Sequence, residues 1–383
     1  MSKLSRIWSQ YVLSCFFVIS IFGIGILNIP NLCQVVYIQF KNSDFNTAII
    51  EETYNNNFWN KLSFVDYQGL FCKITGQKIC NGVIMGDDGK LNLQDNLSYK
   101  FDEKDEKDKV EKAVKILKKA ERGGGAKILY VQRPWATGKV PYDYHFELNE
   151  QYDYWCKTME KSGFPVLDLR EEVINGRIQF YITDHHWTVE SSFNANTDIV
   201  KALNELYGLK LDQEKEYTDI NHYKKINYKN SFLGSEGIRV GKYFAGKDDF
   251  EIIVPEYDTD FKYVQYRDHK KYWEAKGDYS AVFIDKEKLE DPKYNNKYNA
   301  ITYEGYVENR ITNTLSDNNL KVLLIADSFA RPMVTYLASS FKETRYLDPQ
   351  EGRYTDSYVD YIDQYNPDVV IMMFPGFGIF KEI

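Results

Sequence analysis

A short segment near the middle of the chain carries the residue types of an acid–base pair. Phe180–Thr188 reads FYITDHHWT, in which Asp184 and His186 are two positions apart, so in an extended segment both side chains leave the same face. A carboxylate beside an imidazole holds the proton on one ring nitrogen and leaves the other nitrogen to act as a base. His185 alternates to the opposite face, and Trp187 is suited to wall a site. The structural alternative is that both histidines only cap or pack near the start of the next helix.

A second segment, Lys321–Pro332, has the pattern of a nucleophile turn. It reads KVLLIADSFARP: an apolar strand runs into Ser328, and Pro332 suits the first turn of a following helix. Ligands of open α/β sheets bind at the carboxyl ends of such strands, and a serine between small residues on a sharp strand-to-helix turn resembles an exposed nucleophile. Backbone N–H groups at the helix start would then face a developing oxyanion. The structural alternative is that Asp327 or Ser328 only caps the helix.

Together the two segments supply a nucleophile, a base and an orienting carboxylate. Triads of this kind assemble in any chain order, so the sequence predicts that Ser328, His186 and Asp184 meet. Metal binding by the adjacent histidines is the weaker interpretation, because neighbouring side chains point apart and no HExxH motif accompanies them. We therefore predict no metal and no cofactor. Further residues expected at the oxyanion or substrate site are Asp327, Phe329, Arg331, Trp187 and His185.

The elements that must position these segments alternate between short apolar strands and helices, which is typical of a parallel sheet covered on both faces. The predicted strands are Lys127–Val131, Pro165–Leu169, Lys321–Ala326, Arg345–Leu347 and Asp368–Phe374. The predicted helices are the stretch from the charged run Asp102–Lys109 to Gly123, then Glu147–Lys161, Val189–Tyr207, Pro332–Phe341 and Asp356–Gln364. Thr188 is expected to cap the third of these helices, and Gly208 to follow its end. The predicted fold class is α/β.

Two stretches depart from this alternation. Residues 31–100 lack a clear period and are expected to be irregular. Residues from about 210 to 320 are rich in Tyr, Asp and Lys and are expected to form an inserted lobe that decorates the sheet. Within it, the strand candidates are Phe250–Val254, Ala281–Ile284 and Ala300–Tyr303.

The N-terminal run Tyr11–Ile29 predicts a membrane anchor. It has no charged residue and is close to the ~20 residues that cross a ~30 Å hydrocarbon core. Lys3 and Arg6 precede it, so the positive-inside bias places the N-terminus in the cytoplasm and the remainder outside the cell. A cleaved signal peptide fits less well because no small-x-small site is evident, and a lipoprotein signal at Cys15 fits poorly because the run continues beyond it. A buried core helix is disfavoured because the run is apolar on every face.

Composition narrows the function classes. The 383 residues include 48 Lys+Arg and 56 Asp+Glu, a net charge of -8, which disfavours a general nucleic-acid binder. Five Cys and five His exclude a disulfide scaffold and a multi-zinc protein. Aromatic residues reach 16%, and they would suit a sugar-binding cleft, although a bias over the whole chain is the simpler explanation. Cys72 and Cys80 flank KITGQKI, and whether they pair is left open.

TDHHW at Thr183–Trp187 resembles the signature of the bacterial DHHW protein family. It is also similar to the TD-x-HW segment of the alginate O-acetylation proteins, whose catalytic domain is SGNH-hydrolase-like. ADSF at Ala326–Phe329 resembles their serine block. Weaker similarities follow in the same order along most of the chain after the anchor: NGVIMGDDGKL at Asn81–Leu91, DLRE at Asp168–Glu171, GSEGIRVG at Gly234–Gly241 and PDVVI at Pro367–Ile371.

The resemblance implies an SGNH-like α/β domain with Ser328 as nucleophile, His186 as base and Asp184 as its orienting partner. The Asp–His pair precedes the serine, as in the alginate relatives and in reverse of ordinary SGNH hydrolases. It further implies a polysaccharide acceptor and a multi-pass membrane acyltransferase that supplies acetyl groups. Ala326 stands where the serine block of the relatives has Gly or Lys, and no counterpart of the Gly and Asn blocks of an SGNH oxyanion hole is found in the sequence.

Three functions remain open from the sequence. The leading hypothesis is a membrane-anchored O-acetyltransferase that modifies a cell-surface or secreted polysaccharide. An acetyl esterase of the same fold is the second, because water or a sugar intercepts the same acyl-enzyme. A non-catalytic scaffold or glycan-binding protein is the third. The expected division of the chain is 1–30 for the tip and anchor, 31–100 for an irregular linker, and 101–383 for the catalytic domain with its insertion.

Overall fold

The computed structural model describes residues 3–41, 47–97, 99–135, 138–139, 148–305, 307–350 and 353–374. The helices are α1 Lys3–Lys41, α2 Thr47–Asn56, α3 Lys61–Ile74, α4 Gln94–Leu97, α5 Glu103–Gly124, α6 Leu148–Lys161, α7 Glu171–Ile174, α8 Val189–Tyr207, α9 Ser235–Val240, α10 Lys242–Ala245, α11 Tyr279–Phe283, α12 Lys286–Glu290, α13 Ala330–Leu337 and α14 Tyr358–Tyr365. The strands are β1 Ile79–Cys80, β2 Val83–Met85, β3 Leu91–Leu93, β4 Lys127–Gln132, β5 Val166–Asp168, β6 Tyr223–Phe232, β7 Asp248–Pro255, β8 Phe261–Arg267, β9 Lys270–Gly277, β10 Glu308–Asn313, β11 Lys321–Ala326, β12 Glu343–Leu347 and β13 Val369–Met373.

An eight-stranded mixed sheet forms the centre of the molecule, in the order β5-β4-β13-β11-β12-β10-β8-β9. The first five strands pair in parallel, and β10, β8 and β9 extend the sheet with antiparallel pairs. In β11, Val322 and Leu324 enter one apolar core, while Leu323 and Ile325 enter the other. Continuous apolar strands such as VVIMM in β13 are stable here because helices cover both faces of the sheet.

The helices that cover the sheet begin and end at sequence signals. Helix α8 starts after Thr188, whose side chain accepts a hydrogen bond from the Ser191 backbone N–H at 3.2 Å, and ends at Gly208 with φ of 62°. Helix α5 starts after Asp102, which accepts from the Lys104 N–H at 2.9 Å. Helices α8 and α13 lie on one face, and α5, α6 and α14 on the other. The predicted caps of α8 are confirmed.

The inserted lobe does not only pack on the central sheet but also supplies three of its strands. Strands β6 and β7 form a separate two-stranded sheet, whereas β8, β9 and β10 lengthen the central one. Strand β7 confirms the prediction at Phe250–Val254, but the other two strand predictions are wrong. Ala281–Ile284 falls mostly in α11, which Asp278 caps by accepting the Ala281 N–H at 2.8 Å. Ala300–Tyr303 lies in 3-10 turns, with Thr302 and Tyr303 at positive φ, because a short apolar run does not distinguish strand from helix.

The prediction that residues 31–100 are irregular is also wrong. This stretch contains the end of α1, helices α2 to α4 and a three-stranded antiparallel sheet of β1, β2 and β3. Helix α3 and the strands β1 to β3 pack on α9 and α10 through a small apolar core of Cys72, Cys80, Val83, Leu91, Val240 and Phe244. Cys72 and Cys80 are buried in this core as free thiols.

Helix α1 is long and apolar enough to cross a membrane, by its length and composition, within Ser14–Ile38. Only 6% of its most apolar window is buried inside the molecule. A core helix of a soluble protein is mostly buried, whereas this helix is exposed along most of that window. The helix continues through Pro30 to Lys41.

Candidate active site

The TDHHW segment is a tight loop rather than an extended strand. An antiparallel bridge joins Phe180 to Trp187, and the residues between them fold into a compact turn. The carboxylate of Asp248 accepts hydrogen bonds from the Thr183 N–H at 2.8 Å and the Thr183 hydroxyl at 2.7 Å. On the other side, the buried Lys90 ammonium donates to the backbone carbonyls of Tyr181 and Asp184. The loop is therefore held from two distant parts of the chain.

Three side chains form a hydrogen-bonded row at the edge of the sheet. His186 Nε2 lies 2.8 Å from Ser328 Oγ, and His186 Nδ1 lies 2.5 Å from Asp184 Oδ1. Asp184 Oδ1 also accepts the His186 backbone N–H at 2.9 Å, so one carboxylate oxygen contacts both the backbone and the ring of His186. The structure thus brings together the three residues that the sequence singles out; their catalytic roles stay predictions.

The Asp184 carboxylate is fixed and kept ionised by its surroundings. Its Oδ2 accepts hydrogen bonds from the Ser235 backbone N–H at 2.7 Å and the Ser235 hydroxyl at 2.8 Å. Burial acts to raise the pKa of Asp184, but the two neighbouring imidazoles and these donors hold it well below its usual range. Gly234 packs directly on this carboxylate, and a β-carbon there would lie 2.7 Å from Asp184 Cγ. Only glycine leaves room at that position.

The His186 imidazole is neutral at neutral pH. Burial, followed by the adjacent His185, lowers the pKa of His186 to about 4, although Asp184 opposes the shift. The Tyr298 ring stacks on the imidazole with centroids 4.2 Å apart. Because the Asp184 contact holds the proton on Nδ1, Nε2 is left as an acceptor that faces the Ser328 hydroxyl. This is the protonation state that a general base needs before it removes a proton.

Ser328 sits on the turn between β11 and α13, as the sequence predicts. The turn is braced from behind: the Trp187 indole donates to the Phe329 carbonyl at 3.0 Å, and the Tyr346 hydroxyl donates to the Asp327 carbonyl at 2.9 Å. Asp327 accepts from the Phe329 N–H at 3.1 Å and forms a buried ion pair with Arg133, whose Nη2 lies 2.5 Å from Oδ2.

Three backbone N–H groups at the start of α13 are bonded within the turn. The Phe329 N–H bonds the Asp327 side chain, the Ala330 N–H bonds the Asp327 carbonyl, and the Arg331 N–H bonds the Ser328 carbonyl. These three donors therefore do not face the cavity, and the prediction of an oxyanion site at this helix start stays a prediction.

A cavity of about 300 Å³ opens at this edge of the sheet. It is lined by Leu93, Arg133, Trp135, His185, Ser235, Glu236, Arg239, Asp327, Ser328, Phe329, Gln350 and Phe374. Its lining combines an aromatic wall with two arginines, so it has the polar and apolar character of a site for a hydroxylated ligand. A larger cavity of about 650 Å³ lies between α8 and residues 211–220 and contains no member of the triad.

His185 does not turn to the opposite face, contrary to the prediction. Because the segment is a loop, the His185 ring lies 4.1 Å from the His186 ring and lines the same cavity, stacked at 10° on Trp135. Its Nδ1 lies 3.0 Å from Glu236 Oε1. Burial acts to lower the pKa of His185, but Asp184 and Glu236 raise it above its ordinary value. Glu236 Oε2 is buried without a hydrogen-bond partner among the described residues.

Asp184, His185 and His186 each offer one ligand atom, and these atoms lie within 4.8 Å of one another. In this arrangement the Nδ1 atom of each imidazole faces a carboxylate, and His186 Nε2 faces Ser328. The hydrogen bonds account for the cluster without a metal ion.

Two residues expected at the site lie behind it. Trp187 is fully buried and supports the serine turn rather than walling the cavity; Trp135 takes that place. Arg331 bonds the Asn299 side chain at 2.9 Å and does not line the cavity among the described residues. Five further residues shape the site although no sequence motif assigns them a role: Lys90, Arg133, Trp135, Ser235 and Glu236. Arg133 and Trp135 directly follow β4, so the rule that ligands bind at the carboxyl ends of strands would have indicated them.

Solved structures share this fold, whereas no protein-family model matches the sequence and no curated protein is significantly similar to it. Bacillus cereus PatB1 with a sulfonyl adduct aligns with a TM-score of 0.58 at 18% identity, over 77% of this chain and 96% of that one. A DHHW family protein from Eubacterium siraeum aligns with a TM-score of 0.54 at 17% identity, over 77% and 91%. The O-acetyltransferase domain of Pseudomonas putida AlgJ aligns more weakly, with a TM-score of 0.44 at 13% identity over 77% and 91%.

Identities this low establish the fold alone. The structural matches confirm the predicted SGNH-hydrolase-like α/β class, and they confirm the resemblance to the DHHW family at the level of the fold.

Proposed function

We propose that this chain is a membrane-anchored O-acetyltransferase that acts on a cell-surface or secreted polysaccharide through an acetyl–Ser328 intermediate. The observation that carries the proposal is the hydrogen-bonded row of Ser328, His186 and Asp184, whose serine lines a polar and aromatic cavity. The fold shared with PatB1 and a DHHW family protein supports it, as does the resemblance of TDHHW and ADSF to the alginate O-acetylation proteins.

In the first half-reaction, Ser328 Oγ attacks the carbonyl carbon of an acetyl ester while His186 Nε2 takes the hydroxyl proton. Asp184 stabilises the imidazolium that forms. The tetrahedral oxyanion develops in the cavity that His185 lines, and the raised pKa of His185 favours a positive charge there. The intermediate then expels the donor alkoxide, which receives the proton from His186. The products are acetyl–Ser328 and the deacetylated donor.

In the second half-reaction, His186 Nε2 takes the proton of a sugar hydroxyl as that oxygen attacks acetyl–Ser328. Collapse of the intermediate forms the sugar acetate and returns the proton to Ser328 Oγ. Trp135, which is partly exposed, offers an aromatic side chain on which a sugar ring can pack in the cavity. By the resemblance stated above, a multi-pass membrane acyltransferase would supply the acetyl groups.

In the same proposal, α1 anchors the protein in the cell membrane as a single pass. Lys3 and Arg6 place its N-terminus in the cytoplasm, and the main domain is extracellular. Residues 1–30 form the tip and anchor, 31–100 begin the ectodomain, and 101–383 carry the SGNH-like catalytic domain with its insertion at about 210–320.

The test begins with a chromogenic acetyl ester and the purified full-length protein. Ser328→Ala should lower the rate by at least about 10³-fold because it removes the nucleophile, whereas Ser162→Ala, a serine outside the site, should keep the parent rate. A methanesulfonyl fluoride probe should add one sulfonyl group to Ser328, measured by peptide mass spectrometry. One PatB1 structure carries a sulfonyl adduct, which makes this class of probe suitable.

Three outcomes would contradict parts of the proposal. Equal turnover by Ser328→Ala would exclude the triad, and absence of any sulfonyl label would favour a non-catalytic scaffold or glycan-binding protein. With an oligosaccharide acceptor present, release of free acetate and no acetylated sugar would identify an acetyl esterase instead of a transferase.

A further inference from the structure

Helix α3 presents a row of large apolar side chains to the outside of the molecule. Phe64, Tyr67, Phe71 and Ile74, here called the α3 stripe, are spaced at three or four residues and are 41%, 64%, 63% and 75% exposed. This spacing places all four on one face of the helix. A continuous aromatic and aliphatic face of this kind on a protein surface marks an interaction site.

The opposite face of α3 is fixed to the catalytic domain. Gly69 lies so close to α9 that a β-carbon there would overlap the Val240 carbonyl oxygen. The Asp66 carboxylate accepts the Lys242 N–H at 2.8 Å and pairs with the Lys242 ammonium at 3.2 Å. Helix α9 begins with Ser235 and Glu236, the residues that contact Asp184 and His185. The α3 stripe therefore lies one helix layer away from the catalytic cavity.

The start of α3 is tied to the membrane-spanning helix at the point where the apolar run Tyr11–Ile29 ends. Asn28 Oδ1 accepts the Trp59 backbone N–H at 2.6 Å, and Asn31 Nδ2 donates to the Asn57 carbonyl at 2.6 Å. The indole of Trp59 is 45% exposed. Trp59 is thus level with the last residues of the run, where Trp side chains are favoured at a membrane interface.

Helix α2 fixes which part of α1 stands clear of the bilayer. It packs along α1 and carries the exposed Glu51, whose charge is too costly to place in hydrocarbon. The part of α1 that lies beside α2 must therefore rise above the hydrocarbon core, and the earlier part of the span crosses it. Among the described residues, α3 leaves this pair of helices and packs on α9 and α10 instead.

We propose that the α3 stripe and Trp59 lie in the outer interface of the membrane that holds α1, so that the catalytic cavity is held just above the lipid surface. The inference rests on the proposed membrane anchoring. Lys61 begins the helix and Lys73 lies near its end, which suits a surface of anionic phosphates. A domain fixed in this way presents its cavity to acetyl donors and glycan acceptors at the membrane face.

The experiment places nitroxide spin labels on the full-length protein in nanodiscs of phosphatidylethanolamine and phosphatidylglycerol that hold one copy each. Cys15 and Cys33 are first replaced by Ser, and labels are attached at Tyr67→Cys and Phe71→Cys. Leu315→Cys, an exposed apolar position on the inserted lobe, is the aqueous control. Phe22→Cys, inside the apolar run, is the bilayer control.

Oxygen concentrates in lipid, and nickel-EDDA stays in water. Labels at positions 67 and 71 should therefore collide with nickel-EDDA several-fold less often than the Leu315 label, and with oxygen more often. Nickel-EDDA access equal to that of the Leu315 control would overturn the proposal. Protection from both reagents would overturn it as well, because it would indicate a protein surface over the stripe. Free nickel-EDDA access at Phe22→Cys would reject the anchor itself, and therefore the proposed localisation, in a readout that does not depend on catalysis.

Discussion

The two adjacent histidines of TDHHW each face a buried carboxylate, yet their surroundings shift their pKa values in opposite directions. His186 faces Asp184 at 2.5 Å and has its pKa lowered to about 4, first by burial and then by His185. His185 faces Glu236 at 3.0 Å, and the carboxylates of Asp184 and Glu236 raise its pKa against the effect of burial. The rings lie 4.1 Å apart.

This difference shows that contact with a carboxylate does not by itself decide the charge of a histidine. Two imidazolium ions at this separation repel, so a proton on one ring disfavours a proton on the other. The ring with the lowered pKa faces Ser328, and the ring with the raised pKa lines the cavity. In the proposed mechanism, the first ring is the general base and the second favours negative charge in the cavity.

The largest expected effect comes from exchanging the two carboxylates for amides. Asp184→Asn should lower kcat by about 10⁴-fold, because the amide no longer fixes the His186 tautomer or stabilises its imidazolium. Glu236→Gln should lower kcat only roughly tenfold, or ~1.4 kcal/mol, because His185 acts through its charge and not by proton transfer. Steady-state kinetics of both variants on an acetyl ester provide the measurement, with near-unchanged circular dichroism as the control for folding. Equal losses of kcat in the two variants would contradict the proposal that the two histidine–carboxylate pairs have different functions.

A smaller effect is expected where the backbone packs against the first pair. Gly234→Ala places a β-carbon against the Asp184 carboxylate, so the side chain must shift away from His186. We expect the free energy of unfolding to fall by about 1–3 kcal/mol, as for other overpacked sites, together with a loss of kcat. Urea unfolding in detergent measures the free energy of unfolding, and steady-state kinetics in the same detergent measure kcat.

Gly123→Ala near the end of α5 is the matched control. Its β-carbon would lie 3.4 Å from Asp363 Oδ1, which is ordinary van der Waals contact, and alanine favours a helix. Unchanged kcat in Gly234→Ala would show that Asp184 does not need its present position.

The parallel half of the sheet was predictable because its signals are local. Strand β11 is a run of apolar residues, and α8 begins and ends at Thr188 and Gly208. The antiparallel half was not predictable, since β8, β9 and β10 mix polar and apolar residues and acquire their register only from one another and from β12. In α11, the capping Asp278 outweighs the apolar run that had suggested a strand.

The candidate site likewise contains residues that local sequence patterns indicate and residues that only the fold brings together. Ser328, His186 and Asp184 lie in two short segments whose residue types suggest chemistry on their own. Lys90 and Glu236 reach the TDHHW loop from distant parts of the chain, and no local pattern pairs them with it. The orientation of His185 was missed because the bridge from Phe180 to Trp187 closes the segment into a loop, which removes the alternation of an extended strand.

The smallest effect is a shift in pH dependence, and it tests the coupling between the two rings directly. His185 faces Asp184, Glu236 and Lys90, and His185→Gln removes a positive neighbour of His186. The pKa of His186 should then rise from about 4, because the charge of His185 is gone while burial and the Arg331 charge still lower it. Since the reaction needs neutral His186, the acid limb of kcat/KM should move to higher pH, and the variant should lose activity on acidification before the parent does. Glu236→Gln, which weakens the charge on His185 without removing the ring, should move the limb in the same direction by less. Superimposable pH profiles for the parent and His185→Gln would mean that the rings titrate independently.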